Sequence, residues 1–98
     1  MLKKQAIQNG KVIKVTFETH RLPEADEVFL VGDFNDWNET ADPMKKRKKD
    51  GCFTASLKLE PGREYQFRYL VDGEWHNDWD ADKYVTNPFS GDNSVILT

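Results

Sequence analysis

Cysteine is nearly absent from this chain: Cys52 is the single one among 98 residues. One thiol excludes an internal disulfide framework and a cysteine zinc cluster. With no evident base nearby in the sequence, it also lacks what activates a nucleophile. Long apolar runs are missing too. The opening MLKKQAIQNG carries two lysines and no hydrophobic stretch behind them, so it reads as neither a signal peptide nor a membrane anchor. Residues 1 to 10 are expected to be a flexible lead-in to a single domain spanning 1–98, in a soluble, cytoplasmic protein. There is no glycine-rich phosphate loop, and His20 and His76 accompany no serine or cysteine nucleophile motif. Seventeen carboxylates invite the thought of glycoside hydrolysis, which needs two carboxyl groups across a cleft. A two-layer domain of this size offers no such cleft, so no catalytic residue, metal or cofactor is expected.

Charge of one sign is also scarce. The net charge is -3, with 10 basic and 8 acidic residues in positions 1 to 49 and 4 and 9 in the remainder. Neither half has the excess of a nucleic-acid binder. The exception is MKKRKKD, with five consecutive basic residues, Lys45 to Lys49. A phosphate-backbone patch is one reading, but edge lysines that keep a sheet from aggregating explain the run more simply.

Helical periodicity is absent, and turn dipeptides recur at short intervals: Asn9-Gly10, Asp50-Gly51, Pro61-Gly62, Asp72-Gly73 and Ser90-Gly91. Between them lie strand patterns. In KVIKVTFE, Ile13, Val15 and Phe17 share one face; CFTASLKL puts Phe53, Ala55, Leu57 and Leu59 inward; EYQFRYLV puts Tyr65, Phe67, Tyr69 and Val71 inward and leaves Gln66 and Arg68 facing out. EVFLVG, apolar on both faces, reads as a central strand. Asp72-Gly73 signals a two-residue hairpin, and SVILT closes the domain. About seven short strands without a helix predict an all-β, immunoglobulin-like antiparallel β-sandwich. Residues 75 to 93, WHNDWDADKYVTNPFSGDN, show no clean alternation and read as a long functional loop.

Within that loop DWDADK places Asp78, Asp80 and Asp82 at alternating positions, as a calcium loop begins. The turn glycine and the closing glutamate that such a loop needs are replaced by Lys83 and Phe89, so a solvated acidic loop is expected. The aromatic residues are more informative. Trp37 follows the strand end VGDFNDW, Trp75 follows the Asp72-Gly73 turn, and Trp79 lies four residues on. On position alone each ring suits a sandwich core as well as a surface. Converging rings would make a platform for a nucleobase or the C-H face of a pyranose, with Gln66, Arg68 and Asn93 able to hydrogen-bond its polar rim. Phe34 is the better inward anchor of its segment, which leaves Trp37 to point out.

Taken together, VFLVGDFNDW, DGCFTASLKLEPGREYQFRYLVDGEW and NPFSGDNSVI resemble the early-set sandwich of carbohydrate-binding module family 48, over residues 12 to 98. That family includes the glycogen-binding domain of AMP-activated protein kinase beta subunits and the N-terminal accessory domains of isoamylases, pullulanases and glycogen branching enzymes. The resemblance implies that Trp37 and Trp75 are the two stacking tryptophans and that Arg68 replaces a lysine that hydrogen-bonds glucose hydroxyls. It implies that Asn93 is a ligand-contacting asparagine and that Phe89 is the apolar residue reaching through a curved glucan. It further places Ser90 or Gly91 at a threonine contact, and Trp79 has no counterpart. The expected function is then non-catalytic binding of alpha-1,4-linked glucan, with a glucan-active enzyme as a possible protein partner and neither nucleic acid nor membrane as a target. Two other readings stay open: an accessory domain that docks to a protein partner without binding sugar, and a single-stranded nucleic acid binder whose rings stack on bases.

Overall fold

A computed structural model describes residues 2–87 and 91–98. Nine strands are present among them: β1 Leu2–Ile7, β2 Val12–Arg21, β3 Val28–Gly32, β4 Lys45–Lys46, β5 Cys52–Leu59, β6 Glu64–Val71, β7 Glu74–His76, β8 Lys83–Thr86 and β9 Asp92–Leu97. They form two antiparallel sheets, one ordered β1-β2-β5-β4 and the other β3-β6-β9-β8, with β7 added to β6. The all-β sandwich expected from the alternating pattern is what the chain adopts. Its inward faces meet in one cluster that includes Val15, Phe17, Leu30, Phe53, Phe67, Tyr69 and Ile96. Each is at most 2% exposed, and burial of these large side chains is the main driving force for closing the two sheets.

Three sequence expectations are corrected. The lead-in over residues 1 to 10 contains β1, which pairs with β2 from Leu2↔Phe17 to Ile7↔Val12. Its side chains are mostly exposed. A strand held by its backbone ladder at a sheet edge need not show apolar alternation, so LKKQAI gave no strand signal. The run EVFLVG is also not central: β3 ends its sheet and pairs with β6 alone among the named strands. Its outer side is covered by the following segment, with Leu30 N–H donating to the Asp42 carbonyl at 2.9 Å and Met44 N–H to the Val28 carbonyl at 2.8 Å. That cover satisfies the edge of β3, four of whose five residues are buried, which is why it reads as a buried strand. Finally, the stretch 75 to 93 is not one loop, because β7 and β8 lie in it; four residues of KYVT are too few to reveal a period.

Two local features set the geometry further out. Thr19, fully buried, lies where the β2–β5 register shifts between Glu18 and Arg21. Its hydroxyl accepts the Phe53 N–H at 3.0 Å, supplying the acceptor that the interrupted ladder loses. The Asp72-Gly73 turn has both residues at positive φ, 47° and 85°. This type I′ geometry returns β7 against β6 in the register Val71↔Glu74 and Leu70↔Trp75.

Gly32, at the end of β3, is required for space. A Cβ there would lie 2.6 Å from the Gln66 carbonyl oxygen and 2.8 Å from Phe67 Cβ. Gly32→Ala should cost about 1 to 3 kcal/mol by overpacking, read as a lower urea midpoint at unchanged slope; an unchanged midpoint would show that β3 and β6 can separate freely.

Candidate functional site

The segment after β3 turns each letter of GDFNDW into a structural task. Asp33–Asn35 form a single 3-10 turn. Phe34 drops onto the core, its ring centroid 5.5 Å from Phe17 and 6.4 Å from Phe67. The Asn35 side chain ties the loop down. Its Oδ1 accepts the Gly32 N–H at 3.1 Å, and its Nδ2 donates to the Leu30 carbonyl at 2.9 Å and to Asp42 Oδ2 at 2.7 Å. Asp36 and Trp37 then take left-handed backbone, with φ 55° and 58°. Aspartate tolerates this region and a bulky aromatic does not, so Trp37 is held at a cost of about 1 to 2 kcal/mol. Its N–H reaches back to the Gly32 carbonyl at 2.9 Å.

The indole is fixed as well as the backbone. Trp37 Nε1 donates to Asp33 Oδ1 at 2.9 Å, while Asp33 Oδ2 accepts the Gln66 N–H at 2.7 Å. One carboxylate thus joins the ring to the sheet beside it. Trp37 is half-buried, and it faces a shallow groove of about 170 Å³ lined by Trp37, Arg68, Trp75 and Asn87. Trp75 is 39% exposed. The Arg68 guanidinium carbon lies 5.7 Å from the Trp75 ring centre, within reach of a cation–π contact that orients both groups.

Of the residues singled out in the sequence, Trp37, Trp75 and Arg68 share this groove. Gln66 is exposed on the same strand face as Arg68, and its Oε1 accepts Asn93 Nδ2 at 3.0 Å. Asn93 is only 7% exposed; its Oδ1 accepts Asn87 Nδ2 at 3.1 Å. The two asparagines and Gln66 form a polar chain that meets the groove at Asn87. Phe89 and Ser90 lie outside the described residues. Asn87 was missed by the sequence reading, since nothing in VTNPF distinguishes a groove asparagine from a turn asparagine before proline.

Trp79 belongs elsewhere. Its ring stacks against His20 at 4.6 Å and 20° and against Tyr69 at 5.9 Å and 23°, and it packs on the core. The expected solvated acidic loop is corrected at Asp78, while Asp80 and Asp82 are exposed. Asp78 is 3% exposed and accepts the Tyr69 hydroxyl at 2.5 Å and the Asp80 N–H at 2.8 Å. Burial, then the Asp78 carboxylate, pushes the Tyr69 phenol well above its usual range. Asp82 turns to Lys4 Nζ at 2.6 Å and to the Leu97 N–H at 2.8 Å. The alternating carboxylates therefore diverge, and among the described residues no cluster of His, Cys, Asp or Glu suits a metal ion.

The antiparallel sandwich thus presents two tryptophans, an arginine and an asparagine around one open groove. The family model for the glycogen recognition site of AMP-activated protein kinase matches residues 13–96, and the chain belongs to that family. That family is one of glycogen recognition rather than of catalysis. The chain is 39% identical to 5'-AMP-activated protein kinase subunit beta-2 of Mus musculus over 70 residues, 71% of this chain and 24% of that protein. Protein FLOURY ENDOSPERM 6, chloroplastic, of Oryza sativa subsp. japonica is 43% identical over 54 residues, 55% of this chain and 10% of that protein. The 1,4-alpha-glucan branching enzyme GlgB of Salinibacter ruber is 33% identical over 67 residues, 67% of this chain and 11% of that protein. The matched stretches span between a tenth and a quarter of these relatives. Among the described residues no helix is long and apolar enough to cross a membrane.

Asp33→Ala removes the acceptor of two N–H groups and should cost about 1 to 2 kcal/mol. The Trp37 indole N–H resonance should move toward its random-coil position and exchange faster with water. An unmoved resonance would mean that Asp33 does not hold the ring.

Proposed function

We propose that this chain binds alpha-1,4-linked glucan, as in glycogen, starch or maltooligosaccharides, by stacking glucose faces on Trp37 and Trp75. The observation that carries this reading is the convergence of both rings with Arg68 on one open groove. A pyranose offers an apolar C-H face with hydroxyls at its rim, and the groove offers rings with donors and acceptors beside them. Arg68 and the Gln66–Asn93–Asn87 chain would take the hydroxyls. Phe89 and Ser90 are proposed to contribute as the family resemblance implies.

Energetics point to modest affinity. Each ring would bury roughly 100 Å² of apolar surface, about 2.5 kcal/mol at ~25 cal/mol per Å² before the cost of association. A dissociation constant between about 1 mM and 1 μM follows. Because the sugar is neutral, raising the salt should barely change binding, whereas a nucleic-acid ligand would be lost. The similarity to a branching enzyme and to a kinase subunit supports a role in bringing a glucan-active or regulatory protein to the polymer. A cytoplasmic setting is proposed for this chain, although the rice relative is chloroplastic by name.

Calorimetric titration with beta-cyclodextrin and maltoheptaose tests the reading. Native protein should bind both, and Trp37→Ala or Trp75→Ala should weaken binding at least tenfold while the fold is kept. Absence of heat at millimolar sugar would sink the proposal and favour an accessory domain that docks to a protein partner.

A further inference from the structure

Edge protection explains only part of the basic run Lys45 to Lys49. Lys45 and Lys46 lie on β4, the outer strand of its sheet, where charge blocks further pairing. Arg47, Lys48 and Lys49 lie beyond that strand, in the turn toward Cys52. There, with Arg21, Pro23, Lys46, Asp50 and Gly51, they line a cleft of about 540 Å³. Five cations and one carboxylate around a single volume stand out in a chain whose net charge is -3.

The hydrogen bonds decide which of these charges remain available. Asp50 is taken up by Arg47, whose Nη2 and Nε donate to it at 2.7 and 3.2 Å, and by the Cys52 N–H at 3.0 Å. The Arg47 guanidinium, then the Cys52 N–H, hold the Asp50 carboxyl down to about 2. Arg47 also meets both oxygens of Glu18, at 3.2 and 3.3 Å, so its charge is compensated. Arg21 and Lys46 differ. Arg21 Nε donates to the Asp50 carbonyl at 3.0 Å, and Lys46 Nζ donates to the Pro23 carbonyl at 2.8 Å and the Ala25 carbonyl at 3.3 Å. These neutral acceptors fix the two cations in place without cancelling their charge. Lys48 and Lys49 are exposed beside them. Among the described residues these four cations form no ion pair, and they converge from the end of β2, from β4 and from the turn, two of them already ordered, which lowers the entropic cost of binding an anion.

We propose that this cleft binds a phosphomonoester dianion carried on a group of about hexose size. A tetrahedral dianion offers three oxygens to donors arriving from different directions, and an arginine fork with lysine point charges matches it. The cleft volume lies in the range of small-molecule sites. An extended acidic peptide or nucleic acid would instead want its cations strung along a groove. A free sugar phosphate and a phosphoryl group on a polysaccharide supply the same chemistry. The inference is independent of the tryptophan groove, whose lining residues are different.

Titration at low salt, followed residue by residue in proton–nitrogen NMR spectra, tests it with glucose 6-phosphate, inorganic phosphate and a phosphorylated maltooligosaccharide. Glucose 6-phosphate should produce saturable shifts at Arg21, Lys46, Lys48, Lys49 and Gly51 and bind at least tenfold tighter than inorganic phosphate. The double variant Lys48→Gln, Lys49→Gln changes only exposed side chains and should weaken binding about tenfold, while Trp37→Ala leaves it unchanged. Equal affinity for the hexose and oligosaccharide phosphates assigns the free metabolite as the ligand. Tighter binding of the oligosaccharide, read from the shifts of Lys48 and Lys49 and retained in Trp37→Ala, assigns phosphate on the polymer. Shifts that never saturate, no preference over inorganic phosphate, or tighter binding of a glutamate-rich peptide would overturn the proposal.

Discussion

A tryptophan in left-handed backbone, at φ 58°, must be over-determined by its surroundings to stay there. In this chain the constraint comes from Asn35 and Asp33. The Asn35 amide bonds to Gly32, Leu30 and Asp42, so it staples the start of the loop to its return path. That same return path covers the outer side of β3. Asp33 then links the indole to the Gln66 N–H. The close approach that lets Asp33 reach Gln66 exists because Gly32 has no side chain to hold β6 away. Sheet edge, loop conformation and ring orientation are thus one connected set of contacts.

The second half of the groove depends on a different device. A type I′ turn sets Trp75 opposite Leu70, and Arg68 lies two residues earlier on β6, beneath the Trp75 ring. On the neighbouring strand β9, Asn93 trades its exposure for hydrogen bonds to Gln66 and Asn87. A buried amide with its partners supplied is inexpensive and directional. It is placed to orient the amides of Gln66 and Asn87, the second of which lines the groove. The buried Asp78–Tyr69 pair does similar work for residues 77 to 82, pinning that stretch so that Trp79 stacks on the core side.

Much of this was legible in the sequence, for physical reasons that differ by residue. The alternation in β2, β5 and β6 is visible because each has one wet and one dry face, and Asp72-Gly73 is visible because both positions need positive φ. β1 was invisible because its stability comes from backbone pairing. β3 looked central because a loop, not a strand, covers its edge. Trp37 and Trp75 were suggested by family resemblance, and periodicity alone gave each ring even standing as core. Trp79 could not be separated from them by position, since its stacking partners His20 and Tyr69 are distant in sequence. Asp78 read as solvated because its partner hydroxyl comes from β6, and Asn87 carried no signal at all. Charge compensation at the basic run was equally hidden: which lysine or arginine meets a carboxylate and which meets a carbonyl is decided by tertiary contact.

The central claim is that glucose rings lie on Trp37 and Trp75. Intermolecular nuclear Overhauser effects between the protein and maltoheptaose test it most directly. The account predicts contacts from the indole protons of both tryptophans to the ring C-H protons of glucose, with none from Trp79. Contacts confined to the other sheet, or sugar resonances that meet neither Trp37 nor Trp75, would contradict it.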